Sequence, residues 1–155
     1  MRAQKITRLV ATAVVAGFAA LTPASSVGVA SVSASAGKGD LHVTKECSQY
    51  NGTAGSFCTI TSSNLTKILV GSKVFYDQAA GIPTGLLDSN VVLDAGNGDR
   101  AVGRCTLDLS TGLGLCTFSD GTGRFTGFQA RVEVSYLGPE WAWHGTYSFT
   151  PRDDR

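Results

Sequence analysis

Short runs of alternating apolar and polar residues dominate the chain from about residue 40 onwards. In the run FQARVEVSY, every second residue from Phe128 to Tyr136 is apolar or aromatic, and the four residues between them are polar. This period of two is that of a β-strand with one dry face and one solvated face. Similar runs recur at 41–47, 56–63, 66–76, 87–95, 99–109, 112–119, 123–137 and 141–150, divided by Gly, Asn, Asp and Pro. The pattern predicts an all-β protein, an eight-stranded antiparallel up-and-down barrel, with a two-sheet sandwich as the alternative.

The first 36 residues have the composition of a secretory leader. A basic start, MRAQKITR, precedes the apolar run LVATAVVAGFAAL, and a small-residue region ends in Ala34-Ser35-Ala36. This order is typical of a signal peptide with an A-x-A cleavage site, although cleavage nearer Ala24 or Ala30 also fits. The apolar run is short for a bilayer span, which disfavours the alternative of a retained anchor. We predict a signal peptide at 1–36, a secreted, extracellular protein, and one β-barrel domain at 37–155.

Loss of the leader changes the charge of the chain. Arg2, Lys5 and Arg8 leave without any acidic residue, so the net charge of +1 becomes −2. The remaining chain has no basic run or stripe, which argues against nucleic acid as a partner. It also has no second apolar segment of bilayer length, so no membrane partner is expected after cleavage.

Four cysteines follow the leader, and their spacing favours one pairing. An even number of cysteines in an exported chain predicts disulfides, and four cysteines allow three pairings. Ten residues separate Cys47 from Cys58, and ten separate Cys105 from Cys116; each pair brackets turn residues, NGTAG and STGLG. Cysteines placed opposite each other on antiparallel strands come within bonding distance. Sequential bridges Cys47–Cys58 and Cys105–Cys116 are therefore favoured over the other pairings. A zinc site is disfavoured because no C-x-x-C pair occurs.

The last two runs place aromatic side chains on one face. In a barrel of eight strands this face is the interior, which is either filled by side chains or holds one small ligand. If the barrel were inverted, Arg131 and Glu133 would instead line the lumen as acid/base candidates. The ligand-binding candidates, with packing of the core as the alternative reading, are Phe128, Tyr136, Trp141, Trp143, Tyr147 and Phe149.

Three glycines stand close together in DGTGRFTGFQARVEV. They read G-x-G-x-x-x-G, with Thr126 where the dinucleotide fingerprint needs glycine, and a strand pattern follows where that fingerprint needs a helix. The stretch instead resembles the Gly-x-Gly-x-Phe-x-Gly strand of the allene oxide cyclase barrel superfamily, which includes the plant dirigent proteins. The resemblance extends back through ILVGSKVFYDQ and forward to WAWHGTYSF, over about residues 65–150. Within that superfamily, the chain resembles secreted actinobacterial members.

The resemblance implies an eight-stranded barrel with a largely apolar cavity and no metal or organic cofactor. Plant members use such cavities to cyclise an allene oxide or to steer radical coupling. The residues carried over, Gly121, Gly123, Phe125 and Gly127, have structural roles that shape the barrel. The glutamate, asparagine and cysteine in the lumen of the plant cyclase have no matching motif here, and Glu46 shares only a place on an early strand.

Other candidate chemistry is sparse in this sequence. No G-x-S-x-G nucleophile motif occurs. The two histidines, His42 and His144, lie far apart in the chain without metal-ligand spacing, and the alternation predicts an exposed His144. Asp94 and Asp99 flank AGNG, which is typical of a turn. No catalytic residue is predicted, and no metal.

Three functions of different classes fit these observations. The first is a secreted binder of a small hydrophobic molecule. The second is a cofactor-free cyclase or isomerase that acts by shaping its substrate. The third is a filled barrel that acts through its outer surface, with self-association or partner binding. An open interior would favour the first two, and a buried, unpaired charged group inside it would favour an enzyme.

Overall fold

The computed structural model of the chain describes residues 37–81 and 84–150, and the predicted signal peptide lies outside these residues. Eight antiparallel strands follow one another around a closed barrel, and β1 pairs with β8 to complete it. The strands are β1 (Lys38–Glu46), β2 (Phe57–Ser63), β3 (Lys73–Tyr76), β4 (Leu86–Asp94), β5 (Arg100–Asp108), β6 (Leu113–Thr122), β7 (Phe128–Tyr136) and β8 (Glu140–Phe149). The predicted up-and-down barrel is confirmed, and the sandwich alternative is wrong.

Both predicted disulfides are present. Cys105 and Cys116 face each other across β5 and β6, and both are fully buried inside the barrel. Cys47 directly follows β1 and bonds to the buried Cys58 of β2. Within the described residues no cysteine is free. Disulfides of this kind are typical of proteins that fold in an oxidising compartment.

The strand predicted at 66–76 is wrong over most of its length. Only Lys73–Tyr76 forms a strand, and residues 64–72 fold into turns that cross one end of the barrel. Leu65 and Ile68 are both buried, and the Ile68 N–H donates to the Leu65 carbonyl at 2.9 Å. Two apolar residues three apart bury their side chains better in a turn than in a strand, where they would face opposite sides.

The glycine-rich stretch is a loop rather than the start of a strand, which corrects the predicted strand at 123–137. Strand β6 continues to Thr122, and Gly123–Phe125 forms one turn of 3-10 helix. Gly127 has a φ of 71°, and a Cβ at this position would lie 2.4 Å from the Thr150 carbonyl oxygen. Only glycine fits such a position without strain. The loop thereby turns the fully buried Phe125 into the barrel.

The barrel has two ends of different character. At the aromatic end, where β1 begins and β8 ends, the rings of Phe118, Phe125 and Phe149 pack around Phe128, with centroids 5.2–6.0 Å apart. At the disulfide end, where β1 ends and β2 begins, the Cys47–Cys58 bridge and the loop of residues 47–56 close the barrel. The aromatic end is filled by side chains. The buried Lys45 and Tyr76 lie toward the disulfide end.

Candidate functional site

A lysine side chain lies inside the barrel, below the disulfide end. Alternation along β1 directs Leu41, Val43 and Lys45 inward, and Lys45 is only 1% exposed. The pairing of β1 with β2 shifts register between Thr44 and Lys45, so that Lys45 lies opposite the buried Ile60. At this irregularity one strand has an extra residue, and the shift of register keeps the inward-facing side chains of both strands inside the barrel.

The Lys45 amine is held by aromatic groups and has no acidic partner among the described residues. Its Nζ donates a hydrogen bond to the hydroxyl of the buried Tyr76 at 2.5 Å. The same nitrogen lies 4.7 Å from the ring centre of Trp143 and 5.2 Å from that of Tyr76. Cation–π contacts of this kind stabilise a desolvated ammonium by about 2 kcal/mol, less than the penalty of burying an ion.

Burial changes the protonation of this group of side chains. Desolvation lowers the pKa of Lys45 to about 7, so about half of the amine is neutral at pH 7. Desolvation, and secondly the nearby Tyr50, raise the pKa of Tyr76 well above its ordinary value. Burial likewise raises the pKa of Tyr50. Near pH 7 the site therefore holds a partly neutral amine beside phenols that stay protonated.

Tyr50 covers this site from the loop of the disulfide end. Its ring meets that of Tyr76 edge to face, with centroids 5.1 Å apart. The Tyr50 hydroxyl is buried and has no hydrogen-bond partner among the described residues. Between these groups lies a cavity of about 20 Å³, room for about one water molecule. Its lining is Lys45, Cys47, Tyr50, Cys58, Tyr76, Leu87, Leu107, Leu109 and Trp141.

The six aromatic candidates do not form one pocket. Phe128 and Trp143 are fully buried, while Trp141, Tyr147 and Phe149 are partly buried against the core. Tyr136 is 54% exposed at the end of β7, so the prediction that it faces the interior is wrong. Of the six, Trp141 alone lines the cavity, and Trp143 contacts Lys45. A strand of ten residues spans the barrel, so residues at its two ends reach different sites.

The outer face of the sheet carries the charged residues of β7. Arg131 and Glu133 are exposed and the alternating Val132 is fully buried, so the inverted barrel is wrong. His144 is exposed, as predicted, and its Nδ1 lies 2.9 Å from Nδ1 of His42 on β1. The closure of the barrel brings these histidines together from 102 residues apart.

Asp94 and Asp99 have the turn roles predicted for them. Asp94 accepts a hydrogen bond from the Gly96 N–H at 2.8 Å and pairs with Arg100. Asp99 accepts from the backbone N–H of Arg124 at 3.0 Å and from its guanidinium at 2.7 Å, which fixes the glycine-rich loop to the β4–β5 turn. These hydrogen bonds, the backbone one first, lower the pKa of Asp99. Neither carboxylate reaches the cavity.

A larger hollow of about 630 Å³ lies elsewhere, along β1, β7 and β8. It is open, and lining residues such as Lys38, Asp40 and Gln129 are exposed. Such a surface does not desolvate a ligand, so the smaller cavity is the candidate site. Among residues 37–81 and 84–150, no three His, Cys, Asp or Glu side chains are grouped to hold a metal ion.

Comparison with protein-family models, with curated proteins and with solved structures finds no match for this chain. The resemblance to the allene oxide cyclase superfamily therefore stays a prediction. The residues that the structure describes contain no helix with the length and apolarity needed to cross a membrane.

Lys45, Tyr50 and Tyr76 are absent from the site residues predicted on sequence grounds. A signal for Lys45 was present, because in LHVTKEC it shares the alternation phase of Leu41, Val43 and Cys47. A lysine in the apolar phase of a strand is unusual, since lysine is almost never buried. No comparable signal marked Tyr50, which lies in a loop, or joined Tyr76 to Lys45 across 31 residues.

Proposed function

We propose that this protein binds a small hydrophobic molecule at the disulfide end of its barrel. The observation that carries the proposal is the Lys45 amine, which is buried among aromatic rings with no acidic partner in the part of the chain that the structure describes. A barrel core that served only stability would be more stable with an apolar residue here, because an uncompensated buried ion costs several kcal/mol. A ligand with one polar group beside an apolar body would supply the missing partner.

The ligand would enter by displacing Tyr50. The cavity of about 20 Å³ is too small for an organic molecule while the Tyr50 ring is in place. That ring belongs to a loop and its buried hydroxyl has no hydrogen bond to lose among the described residues. Rotation of one side chain would join the cavity to solvent and expose Lys45, Tyr76 and Trp141. Apolar walls with a few convergent polar groups are typical of small-molecule sites.

The setting of the proposal is extracellular. The two disulfides support an oxidising compartment, and the leader composition adds secretion to the proposal. The resemblance to dirigent and allene oxide cyclase barrels also supports an apolar ligand, because those barrels act on such molecules in their interior.

A cofactor-free isomerase or cyclase is the second candidate, and Lys45 favours it as well. Burial lowers the pKa of Lys45 to about 7, the value at which an amine works best as a general base near neutral pH. Tyr76, kept protonated, would donate a hydrogen bond to the ligand. An isomerase or cyclase must convert its ligand to a product, whereas a binding protein needs only to hold it.

The experiment is a titration of the disulfide-bonded protein with straight-chain alcohols from butan-1-ol to octan-1-ol, followed by tryptophan fluorescence. Tyr50→Ala should bind these alcohols at least tenfold more tightly than the wild type, because the ring no longer competes for the space. Tyr50→Phe keeps the ring and should behave as the wild type. Tyr147→Ala, at the other end of the barrel, controls for loss of an aromatic residue. Absence of binding to both the wild type and Tyr50→Ala would contradict the proposal.

A further inference from the structure

We infer that Lys45 captures ligands that carry an aldehyde or ketone group, by forming a reversible imine at its Nζ. The inference rests on the proposed function and adds to it the chemical class of the ligand. It follows from what surrounds the amine: an apolar cavity in front of it, a phenol in hydrogen-bond contact, and no carboxylate among the described lining residues.

The neighbours of Lys45 leave its amine free to act as a nucleophile. The titratable groups that face it are Tyr76 from β3 and Tyr50 from the loop of the disulfide end. Strand β8 contributes Trp143 and Trp141, and β4 and β5 contribute leucines. None of the described residues that line the cavity is a carboxylate, so no ion pair holds the amine in its charged form. Burial also lowers the pKa of Lys45, which favours the neutral form of the amine.

The reaction needs only the amine and the carbonyl compound. The neutral Nζ of Lys45 attacks the carbonyl carbon, a C–N bond forms, and one N–H proton moves to the oxygen to give a carbinolamine. The C–O bond then breaks, the second N–H proton is lost, and the oxygen leaves as water. No oxidant or reductant takes part. The Tyr76 hydroxyl, 2.5 Å from Nζ, is placed to donate a proton to the departing oxygen and to regain one from the nitrogen.

A carbonyl compound suits this site better than a carboxylate ligand. A carboxylate would require the protonated amine, and both ions would lose their hydration inside the barrel. An imine is neutral, and its formation removes the charge that the interior accommodates poorly. The product also leaves the apolar part of the ligand against Trp141 and the leucines of the lining.

The test compares hexanal with hexan-1-ol, which has the same chain length and no carbonyl group. The disulfide-bonded protein is incubated with hexanal and sodium cyanoborohydride at pH 7, and the reduced adduct is located by peptide mass spectrometry. Lys45 should carry at least ten times more adduct than the exposed Lys38, Lys67 and Lys73. Ordinary solvated lysines are protonated at this pH and react slowly. Hexan-1-ol in excess should protect Lys45.

Three variants separate the imine from simple binding. Lys45→Met should lose the adduct, while Lys67→Met should keep it. Tyr76→Phe should lower the rate of trapping about tenfold at saturating hexanal. If hexan-1-ol binds and hexanal leaves Lys45 unmodified in both the wild type and Tyr50→Ala, the imine is refuted and the proposed binding function stands. If hexan-1-ol binds to neither of these proteins, the binding function itself is refuted.

Discussion

The Lys45 amine lies 4.7 Å from the ring centre of Trp143, deep inside a barrel whose described residues place no carboxylate beside it. Trp143, one of the predicted aromatic candidates, thus shares a site with Lys45, which is not among the predicted site residues. Among the described residues, Trp143 is the largest fully buried side chain of the core, and the exposed fraction of Lys45 is nearly as small. The relationship has consequences for stability that can be measured without knowing the ligand.

Stability should rise with pH above neutrality. The folded protein loses the Lys45 proton near pH 7, whereas the unfolded chain keeps it to about pH 10.4. Between these values the unfolded state binds more protons, so the free energy of unfolding increases by about 1.4 kcal/mol per pH unit. Above about pH 10 the tyrosines oppose this trend, because Tyr76 stays protonated in the fold after unfolded tyrosines ionise.

Urea unfolding at pH 6 to 9 measures this effect in wild type, Lys45→Met and Lys73→Met. Methionine has a similar volume and fits an apolar site, so Lys45→Met should be the most stable of the three at pH 6 and should lack the rise. Lys73 is exposed, and its variant should follow the wild type. Parallel pH curves for all three proteins would contradict burial of a titrating amine.

The two tryptophans should differ in packing and in access to solvent. Trp143→Ala should lower the free energy of unfolding by about 3–5 kcal/mol, because Trp143 is fully buried against Phe118. Trp141 is partly buried at the cavity, so Trp141→Ala should cost less and should change alcohol binding. Iodide should quench the emission of Trp143→Phe, which retains Trp141, more than that of Trp141→Phe. Equal quenching would place both rings in the same environment.

Gly127 should not tolerate a side chain. An alanine Cβ there would lie 2.4 Å from the Thr150 carbonyl oxygen, in addition to the strain of a φ of 71°. Gly96 has a similar φ of 84°, but a Cβ at Gly96 would meet no heavy atom within 4 Å, so Gly96→Ala controls for the strain alone. Gly127→Ala should cost about 1–3 kcal/mol more than Gly96→Ala in thermal or urea unfolding. Equal costs for the two variants would mean that Gly127 lies further from Thr150 than it does in this structure.

The bridges should be recovered by peptide mapping without reduction. The expected cross-linked peptides join Cys47 to Cys58 and Cys105 to Cys116. Replacing Cys105 and Cys116 together by alanine should cost about 3 kcal/mol by the chain-entropy estimate for so short a loop. A peptide that joins Cys58 to Cys105, or a titratable thiol in the native protein, would contradict the structure.

Sequence patterns alone correctly predicted the class of fold, the number of strands and the favoured pairing of the cysteines. Local patterns carry this information, because alternation fixes which face of a strand is dry and turn residues place neighbouring cysteines opposite each other. The same patterns failed at 66–72 and 123–127. There, burial of Leu65, Ile68 and Phe125 at the end of the barrel outweighs local strand preference.

The site itself depends on contacts between distant parts of the chain. Alternation shows that Trp141 and Phe149 share a face, but β8 spans the barrel and places them near its opposite ends. Lys45, Tyr50 and Tyr76 come from a strand, a loop and another strand, and no spacing in the chain joins them. Their contacts depend on strand register and on the β1–β2 irregularity. The lowered pKa of Lys45 then follows from burial, which is a property of the closed barrel and not of any segment.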